Sequence, residues 1–315
     1  MAIRGQTREK DIPATGMNKK RTITTNPDPL PVAEFRAVLA KRNPGPDIFV
    51  LFQKIILSYY EHEGRDLAWR HTTDPYHILV SEIMLQQTQV GRVATKYPEF
   101  IGAFPTFSAL ADAPLYRVLE VWQGMGYNRR AIALQACAKR VETEFFGTLP
   151  DNVETLNTFP GIGHATACSI AAFAFNIPVV FIETNIRRVF IHFFFGDQNS
   201  VHDREILPLV RQALDTRDPR AWYWALMDYG SALKQSIPNP NKKSAHYTKQ
   251  STFEGSDREI RGMVLKSLLQ DPLQDEKKLV ISIPRSPSRV HRIIGALVAE
   301  EFITRKGRAL MIRDR

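Results

Sequence analysis

The sequence predicts a mainly α-helical protein closed by a small α+β module, and three observations carry that expectation. Apolar residues recur at helical spacing up to about residue 240, in short stretches with short connections. No strong apolar–polar alternation of the kind that marks a strand occurs before residue 250. Beyond Ser256 the character changes to two helical stretches and a basic hairpin.

In chain order, residues 1–31 are polar and basic, include Lys19-Lys20-Arg21, and read as a disordered arm able to touch phosphates; a passive tail or an upstream extension before Met17 fits at least equally. A short helix is expected from Val32 to Lys41, ended by Asn43-Pro44-Gly45-Pro46. Asp47 then caps a helix with a stripe of Phe49, Phe52, Ile55, Ile56 and Tyr59. Asp74-Pro75-Tyr76 is a helix start with proline in the first turn, and one helix is expected from His77 to about Tyr97. Others are expected from Phe107 to Ala111, Leu115 to Val121, Arg130 to Phe146 and Val153 to Asn157. Three more follow, from Asn185 to Phe195, Arg204 to Leu214 and Ala221 to Leu233. From Pro238 to Ser251 no helical periodicity remains. This loop mixes Lys, Ser, Thr, Asn, His and Tyr, the residue types that contact backbone phosphates, with a solvated linker as the alternative. In the last module, a helix from Asp257 to Leu269, a short strand from Leu279 to Ile283 and a helix from Ser288 to Phe302 precede a hairpin at Lys306-Gly307. That order resembles a winged helix, suited to a DNA groove or to packing on a partner.

One stretch organises the rest. Leu156 to Phe159 leads into Pro160-Gly161-Ile162-Gly163, and an Ala-rich segment follows from Ala165 to Phe175, so the pattern is helix, tight turn, helix. Two glycines admit a turn that a Cβ obstructs. They leave bare amides at a helix start, where four N–H groups lack internal partners and the dipole favours an anion such as phosphate. An ordinary helix–helix connection is the plainer alternative.

A chain of 315 residues with 43% hydrophobic and 24% charged residues has the make-up of a globular protein of two or three domains. No apolar run approaches the roughly 20 residues that span a bilayer, and no secretory segment opens the chain. A cytoplasmic or nucleoid-associated placement without membrane contact is therefore expected. The net charge of +9 favours a polyanionic partner, nucleic acid first. The two cysteines, Cys137 and Cys168, are too few for a cysteine-ligated zinc or iron–sulfur site and argue against a disulfide-built domain.

Two carboxylates stand out. Glu82 lies among Leu79, Ile83, Met84 and Leu85, so its carboxyl is a candidate for a partly desolvated pocket. Desolvation raises a carboxyl pKa and suits a general acid; a surface glutamate on an amphipathic helix is the alternative. Glu183 follows the apolar Val179-Val180-Phe181-Ile182. An ionised group there either faces developing positive charge or only supports the next helix through its dipole. One protonated and one ionised carboxylate suit cleavage of a glycosidic bond through an oxocarbenium-like transition state. Beside a phosphate clamp and a basic surface, the expected bond is the N-glycosidic bond of a nucleotide.

Together these residues resemble the helix-hairpin-helix base-excision DNA glycosylases, closest to the MutY adenine-excising branch. The resemblance covers roughly residues 48 to 235. It rests on Trp69-Arg70, Asp74-Pro75-Tyr76, Ser81-Glu82-Ile83-Met84-Leu85-Gln86-Gln87-Thr88, Gly124-Met125-Gly126-Tyr127, Pro160-Gly161-Ile162-Gly163 and Glu183-Thr184-Asn185. It implies an all-α glycosylase domain over residues 32–240, with a six-helix barrel at about 70–182 and a second subdomain from 32–69 and 183–240. A basic loop over 241–255 and a winged-helix-like module over 256–315 complete the expected division. Double-stranded DNA with a damaged or mismatched pair is the implied partner, bound by a monomer, with the target nucleotide flipped out of the stack.

The resemblance also implies roles. Glu82 protonates adenine N7, Glu183 stabilises the sugar cation, and Arg70 and Trp69 border the base pocket. Gln87 and Thr88 meet the opposite base, commonly 8-oxoguanine, and Met125 and Tyr127 wedge into the stack. Gly161, Gly163, Ala165 and Thr166 hold phosphate, joined by Lys242, Lys243, His246, Tyr247 and Lys249. Four departures from the family pattern matter, the first being that the winged-helix-like segment stands where a Nudix-like domain that helps sense 8-oxoguanine is usual. Glu183 stands where an aspartate is usual. Ala165 stands where strand-cleaving members carry lysine, so no Schiff base and a monofunctional glycosylase are expected. Cysteine-free residues 242–250 follow the helix that precedes the usual iron–sulfur cluster. No cofactor is therefore expected beyond a structural cation at the hairpin. Thymine, uracil or hypoxanthine excision, and a non-catalytic damage-binding protein, are the competing expectations.

Overall fold

Short polar side chains and prolines set most of the helix starts. Asp74 accepts from Tyr76 N with Pro75 in the first turn, and Asp218 accepts from Ala221 N with Pro219 in the first turn. Thr106, Asn152, Ser256 and Asp275 cap helices of their own in the same way. The structure is a computed structural model that describes residues 29–40, 45–196, 198–249 and 251–314. The basic arm with Lys19-Lys20-Arg21 lies outside the described residues, and Pro29 already opens a helix.

Among the described residues, α1 (Pro29–Leu39) and α2 (Asp47–Glu63) lead to a single 3₁₀ turn, Ala68–Arg70. Then come α3 (Pro75–Leu85), α4 (Val90–Ala103), α5 (Phe107–Ala111), α6 (Leu115–Val121), α7 (Arg129–Phe145), α8 (Val153–Leu156) and α9 (His164–Phe175). They are followed by α10 (Thr184–Phe194), α11 (Asp203–Ala213) and α12 (Pro219–Ser236). The C-terminal module holds α13 (Asp257–Gln270), β1 (Gln274–Asp275), α14 (Glu276–Ser282), α15 (Pro287–Ala299), β2 (Ile303–Lys306) and β3 (Ala309–Ile312). Its antiparallel sheet has the order β1-β3-β2, with Lys306 opposite Ala309 at the hairpin.

Two apolar cores divide the chain. One gathers α3 to α8 around Leu79, Phe100, Trp122 and Leu134 and continues into the C-terminal module through Ile260, Val264, Leu297 and Leu310. The other joins α1 and α2 to α10, α11 and α12 around Phe35, Phe52, Phe190 and Trp222. Helix α9 is apolar on every side, as a helix buried on every side must be. Its Ala167 and Ile170 belong to the first core and its Cys168, Ala172 and Phe173 to the second. The seam between the cores therefore runs along α9, where a polar side chain is shielded by both.

The structure revises several sequence-based expectations. The helix expected from His77 to Tyr97 is two, α3 and α4, broken at residues 86–89, where Gln87 has φ +53°. Leu279 to Ile283 is no strand but lies in and just after α14, because Asp275 accepts from Lys277 N and Lys278 N and starts a helix there. Asp47 does not cap α2 with its side chain; it occupies the first turn, behind Pro46. The loop after α12 contains a 3₁₀ turn, Pro240–Lys243, and a parallel bridge between Val201 and Ser244. It is docked rather than a free linker.

Candidate active site

Glu82 projects from α3 into the seam, and Ser169 on α9 meets it there, its Oγ donating to Glu82 Oε2 at 2.6 Å. Burial pushes the Glu82 carboxyl up to about 7; the Ser169 hydroxyl pulls it down, nearby Glu183 adds to the rise, and Arg70 opposes it. Burial dominates, so near neutrality a large share of this carboxyl keeps the proton that an ordinary glutamate has lost. The cavity in front of it is about 250 Å³. Glu82, Ser169, Trp69, Arg70, Ala165, Thr166, Glu183 and Trp224 all line it.

Glu183 reaches the same cavity from the start of α10. Its Oε1 accepts from Asn185 N at 2.7 Å and from Ile186 N at 3.0 Å, so it is the N-cap of that helix. Burial raises its pKa, while those two amides, Arg188 and Arg187 favour the ionised form. Glu183 thus caps α10 and lines the cavity at once.

Arg70 is anchored by a residue that the sequence reading missed. Asp228 on α12, 3% exposed, accepts from Arg70 Nη1 at 2.8 Å and Nη2 at 2.7 Å, and from the backbone N and Nε of Arg65. The Arg70 guanidinium lies 5.7 Å from the Tyr60 ring centroid and 5.4 Å from that of Trp224. Trp69 is buried, edge-on to Tyr97. A lone aspartate within the apolar Ala225 to Tyr229 stretch was a readable signal, because a buried carboxylate needs a partner.

Arg130 is the second missed residue. It is 9% exposed, and its guanidinium donates to the carbonyls of Ile83, Met84 and Gln86, the last turn of α3. It also donates to Thr88 Oγ1 and to the carbonyls of Met125 and Gly126. One side chain thus supplies the donors that the helix end lacks and fixes the Gln86–Gln89 break against the Gly124–Tyr127 loop. Desolvation lowers its pKa to about 10, which leaves it charged at neutrality.

The wedge pair separates. Tyr127 is partly exposed, while Met125, 1% exposed, is turned into the first core. The hairpin also sorts its glycines. Gly161 has φ +73°, and a Cβ there would sit 2.8 Å from Ala133 Cβ, so only glycine fits. Gly163 has φ −86° and open space around it, so neither strain nor crowding requires it. It starts α9 without a side-chain cap. Gln86 Nε2 ties the hairpin to α3 through Gly161 O at 3.0 Å and Thr166 Oγ1 at 3.2 Å.

After α12, Lys243 Nζ donates inward to Gly196 O, whereas Lys242, His246, Tyr247 and Lys249 are exposed. Asn239 Oδ1 accepts from Arg188, and Asn241 Nδ2 donates to Thr184 O, which braces this segment against the start of α10. Among the described residues no group of three or more His, Cys, Asp or Glu is placed to hold a metal. A four-thiolate cluster does not fit this segment, which has no cysteine; Cys137 and Cys168 are buried in α7 and α9. No helix among the described residues is long and apolar enough to cross a membrane.

Comparison with known proteins places this arrangement. Residues 80–209 match the family model of the HhH-GPD superfamily base excision DNA repair proteins. The adenine DNA glycosylase of Mycolicibacterium smegmatis is 35% identical over 231 residues, 68% of this chain and 78% of that one. That of Mycobacterium tuberculosis is 31% identical over 279 residues, 79% and 89% of the two chains. Among solved structures, a thermostable thymine-DNA glycosylase superposes with a TM-score of 0.53 at 27% identity, over 58% of this chain and 86% of that one. The paired carboxylates and glycine hairpin thus sit on a shared helical scaffold: the chain belongs to the HhH-GPD superfamily of base excision DNA repair proteins, within its adenine DNA glycosylase branch.

Proposed function

We propose that the protein is a monofunctional glycosylase, acting as a monomer on double-stranded DNA, that hydrolyses the N-glycosidic bond of an adenine mispaired with 8-oxoguanine or guanine. The observation that carries this reading is the pair of carboxyls on one cavity, Glu82 held up to about 7 by burial and Glu183 capped by two helix amides. The flipped nucleoside enters that cavity. Glu82 gives its proton to the purine, which turns the base into a neutral leaving group. Glu183 sets negative charge beside the sugar as the bond breaks and positive charge spreads over C1′ and the ring oxygen. Water completes the sugar product.

Arg70, fixed by Asp228, borders the base. The hairpin amides from Gly161 to Thr166 take a backbone phosphate. Exposed Lys242, His246, Tyr247 and Lys249 supply further phosphate contacts, with Lys243 bracing them from within. Tyr127 fills the gap left in the stack, and Gln87 and Thr88 meet the unpaired base opposite. Ala165 lines the cavity where an amine would be needed, so the backbone is left uncut. The protein works without an iron–sulfur cluster.

Single-turnover assays with adenine opposite 8-oxoguanine, A:G, T:G, U:G and hypoxanthine duplexes test the reading. Adenine release without borohydride trapping is the expected result. Preferred release of thymine or uracil, or tight salt-dependent binding with no base released from any duplex, refutes it.

A further inference from the structure

The C-terminal module presents positive charge that its own acids leave unmatched. Asp257 pairs with Arg289 and Arg292, and Glu276 pairs with Arg305 and meets His291. Asp275 accepts from the backbone amides of Lys277 and Lys278. Lys277 and Lys278 on α14, and Lys306 and Arg308 at the β2–β3 hairpin, are exposed. Among the described residues none of these four side chains has an acidic partner. Glu276 N donates to Arg308 O at 3.0 Å, which sets the hairpin tip beside the start of α14. The four cations therefore form one patch.

That patch joins the surface beside the catalytic cavity. Arg258, Arg261 and Arg292 of the module line a groove of about 460 Å³ together with Gln87, Tyr127 and Arg129. Arg258 donates to the Tyr127 hydroxyl, and its guanidinium carbon lies 4.8 Å from that ring's centroid. From Arg292 the charged side chains continue over α15 to His291, across Glu276 to Arg305, and so to the hairpin tip. Crossing α15, about 10 Å wide, and following the four residues of β2 puts that tip within about 20 Å of the groove, the rise of about six base pairs. Ile281, exposed one turn beyond Lys277, suits a protein partner. Four unpaired cations against one apolar side chain, in a chain of net charge +9, favour a polyanion.

Resting on the reading that this chain excises a base from duplex DNA, we propose that the module is a second, sequence-independent grip on that duplex. Lys277, Lys278, Lys306 and Arg308 hold backbone phosphates to one side of the excised base and read no base. The first helix of a helix-turn-helix crosses the backbone in this way, and α14 has that place here. Binding of the full-length protein to duplexes with a tetrahydrofuran abasic analogue, measured over a range of salt, tests this without any bond breaking. The double variants Lys277→Ala/Lys278→Ala and Lys306→Ala/Arg308→Ala should each bind about tenfold more weakly and lower the salt slope by about two. Uncharged methylphosphonates about three to seven base pairs from the analogue, on the flank that the module holds, should bring variant and unaltered protein within about twofold. The same replacement on the other flank should leave the difference in place. Single-turnover excision at saturating protein should stay within about twofold, because none of the four residues lines the catalytic cavity. An unchanged salt slope, a loss that neither neutralised flank removes, or a loss that varies with the base opposite overturns the proposal. Base release assayed alongside separates the two readings. Its absence refutes excision while the flank dependence remains readable, and normal release with an unchanged slope refutes only the second grip.

Discussion

The two walls of the catalytic cavity carry the same side chain in opposite settings. On the α3 wall, Glu82 lies near the C-terminal end of its helix in the seam, with the Ser169 hydroxyl as its hydrogen-bond donor, and its pKa rises to about 7. On the α10 wall, Glu183 lies at a helix N-terminus and takes two backbone amides, with Arg187 and Arg188 near. Burial raises the pKa of both carboxyls; against that rise the first setting places one hydroxyl, and the second places two backbone amides and the charges of Arg188 and Arg187, which favour the ionised form. In the proposed excision, the acid and the counter-charge are then told apart by the donors around each carboxyl, not by residue type.

Removing the stored proton should break this contrast most. Glu82→Gln keeps the shape and an acceptor for Ser169 but has nothing to donate, so single-turnover excision should fall by about a thousandfold or more. Duplex affinity should stay near that of the unaltered protein. Comparable excision by both proteins would remove Glu82 from the role of acid. The same carboxyl gives a stability signature. Its folded pKa lies above the usual 4.5, so the folded state binds the extra proton and loses stability as pH rises from about 4.5 through about 7. Glu82→Gln should flatten that part of a denaturation profile measured from pH 5 to 8; an unchanged slope would place the proton elsewhere.

Glu183 has two tasks that substitution can separate. Glu183→Ala should lower excision by about a hundredfold and cost about 1 kcal/mol of stability through the lost cap. Aspartate is a preferred N-cap, so Glu183→Asp should restore the stability. Its carboxylate withdraws from the cavity by about one C–C bond, which should leave excision between the alanine variant and the unaltered protein. Melting temperature and excision rate measured on the same preparations decide the matter. If both recover together with aspartate, capping alone accounts for Glu183.

What was legible in the sequence was what neighbours in sequence encode. The glycine hairpin, the proline-led helix starts and the two carboxylates each announce themselves within a few residues. Arg130 does not, because the α3 carbonyls it satisfies lie 44 to 47 positions earlier. Without it the helix from His77 to Tyr97 reads as continuous, since the apolar spacing runs through the break. Asp228 answers to Arg65 and Arg70, 163 and 158 positions away, across the seam. Leu279 to Ile283 is a short apolar run that strand and helix share, and the Asp275 cap decides for helix. Met125 matched the wedge position by motif, but the fold turns it inward. The C-terminal module was legible as helices and a hairpin. Its continuity with the first core and its grip on Tyr127 depend on contacts more than a hundred residues apart.

The finest test of the contrast lies in Ser169, which is 3% exposed and gives Glu82 its one hydroxyl donor. A hydrogen bond to a carboxylate favours the charged form, so this contact holds the Glu82 pKa below where burial alone would put it. Ser169→Ala removes one oxygen atom at a helix position that alanine favours, so the fold should keep its stability to within about 1 kcal/mol. With the donor gone, Glu82 should keep its proton to higher pH. The alkaline fall in excision, set by loss of the acid, should then move upward from near 7 by about half a unit to one unit. The plateau rate at lower pH should change by less than about threefold, because the proton is already in place there. An alkaline limb that stays put would mean that some group other than Glu82 governs it. A shift downward would mean that Ser169 donates elsewhere and that the carboxyl rises for another reason.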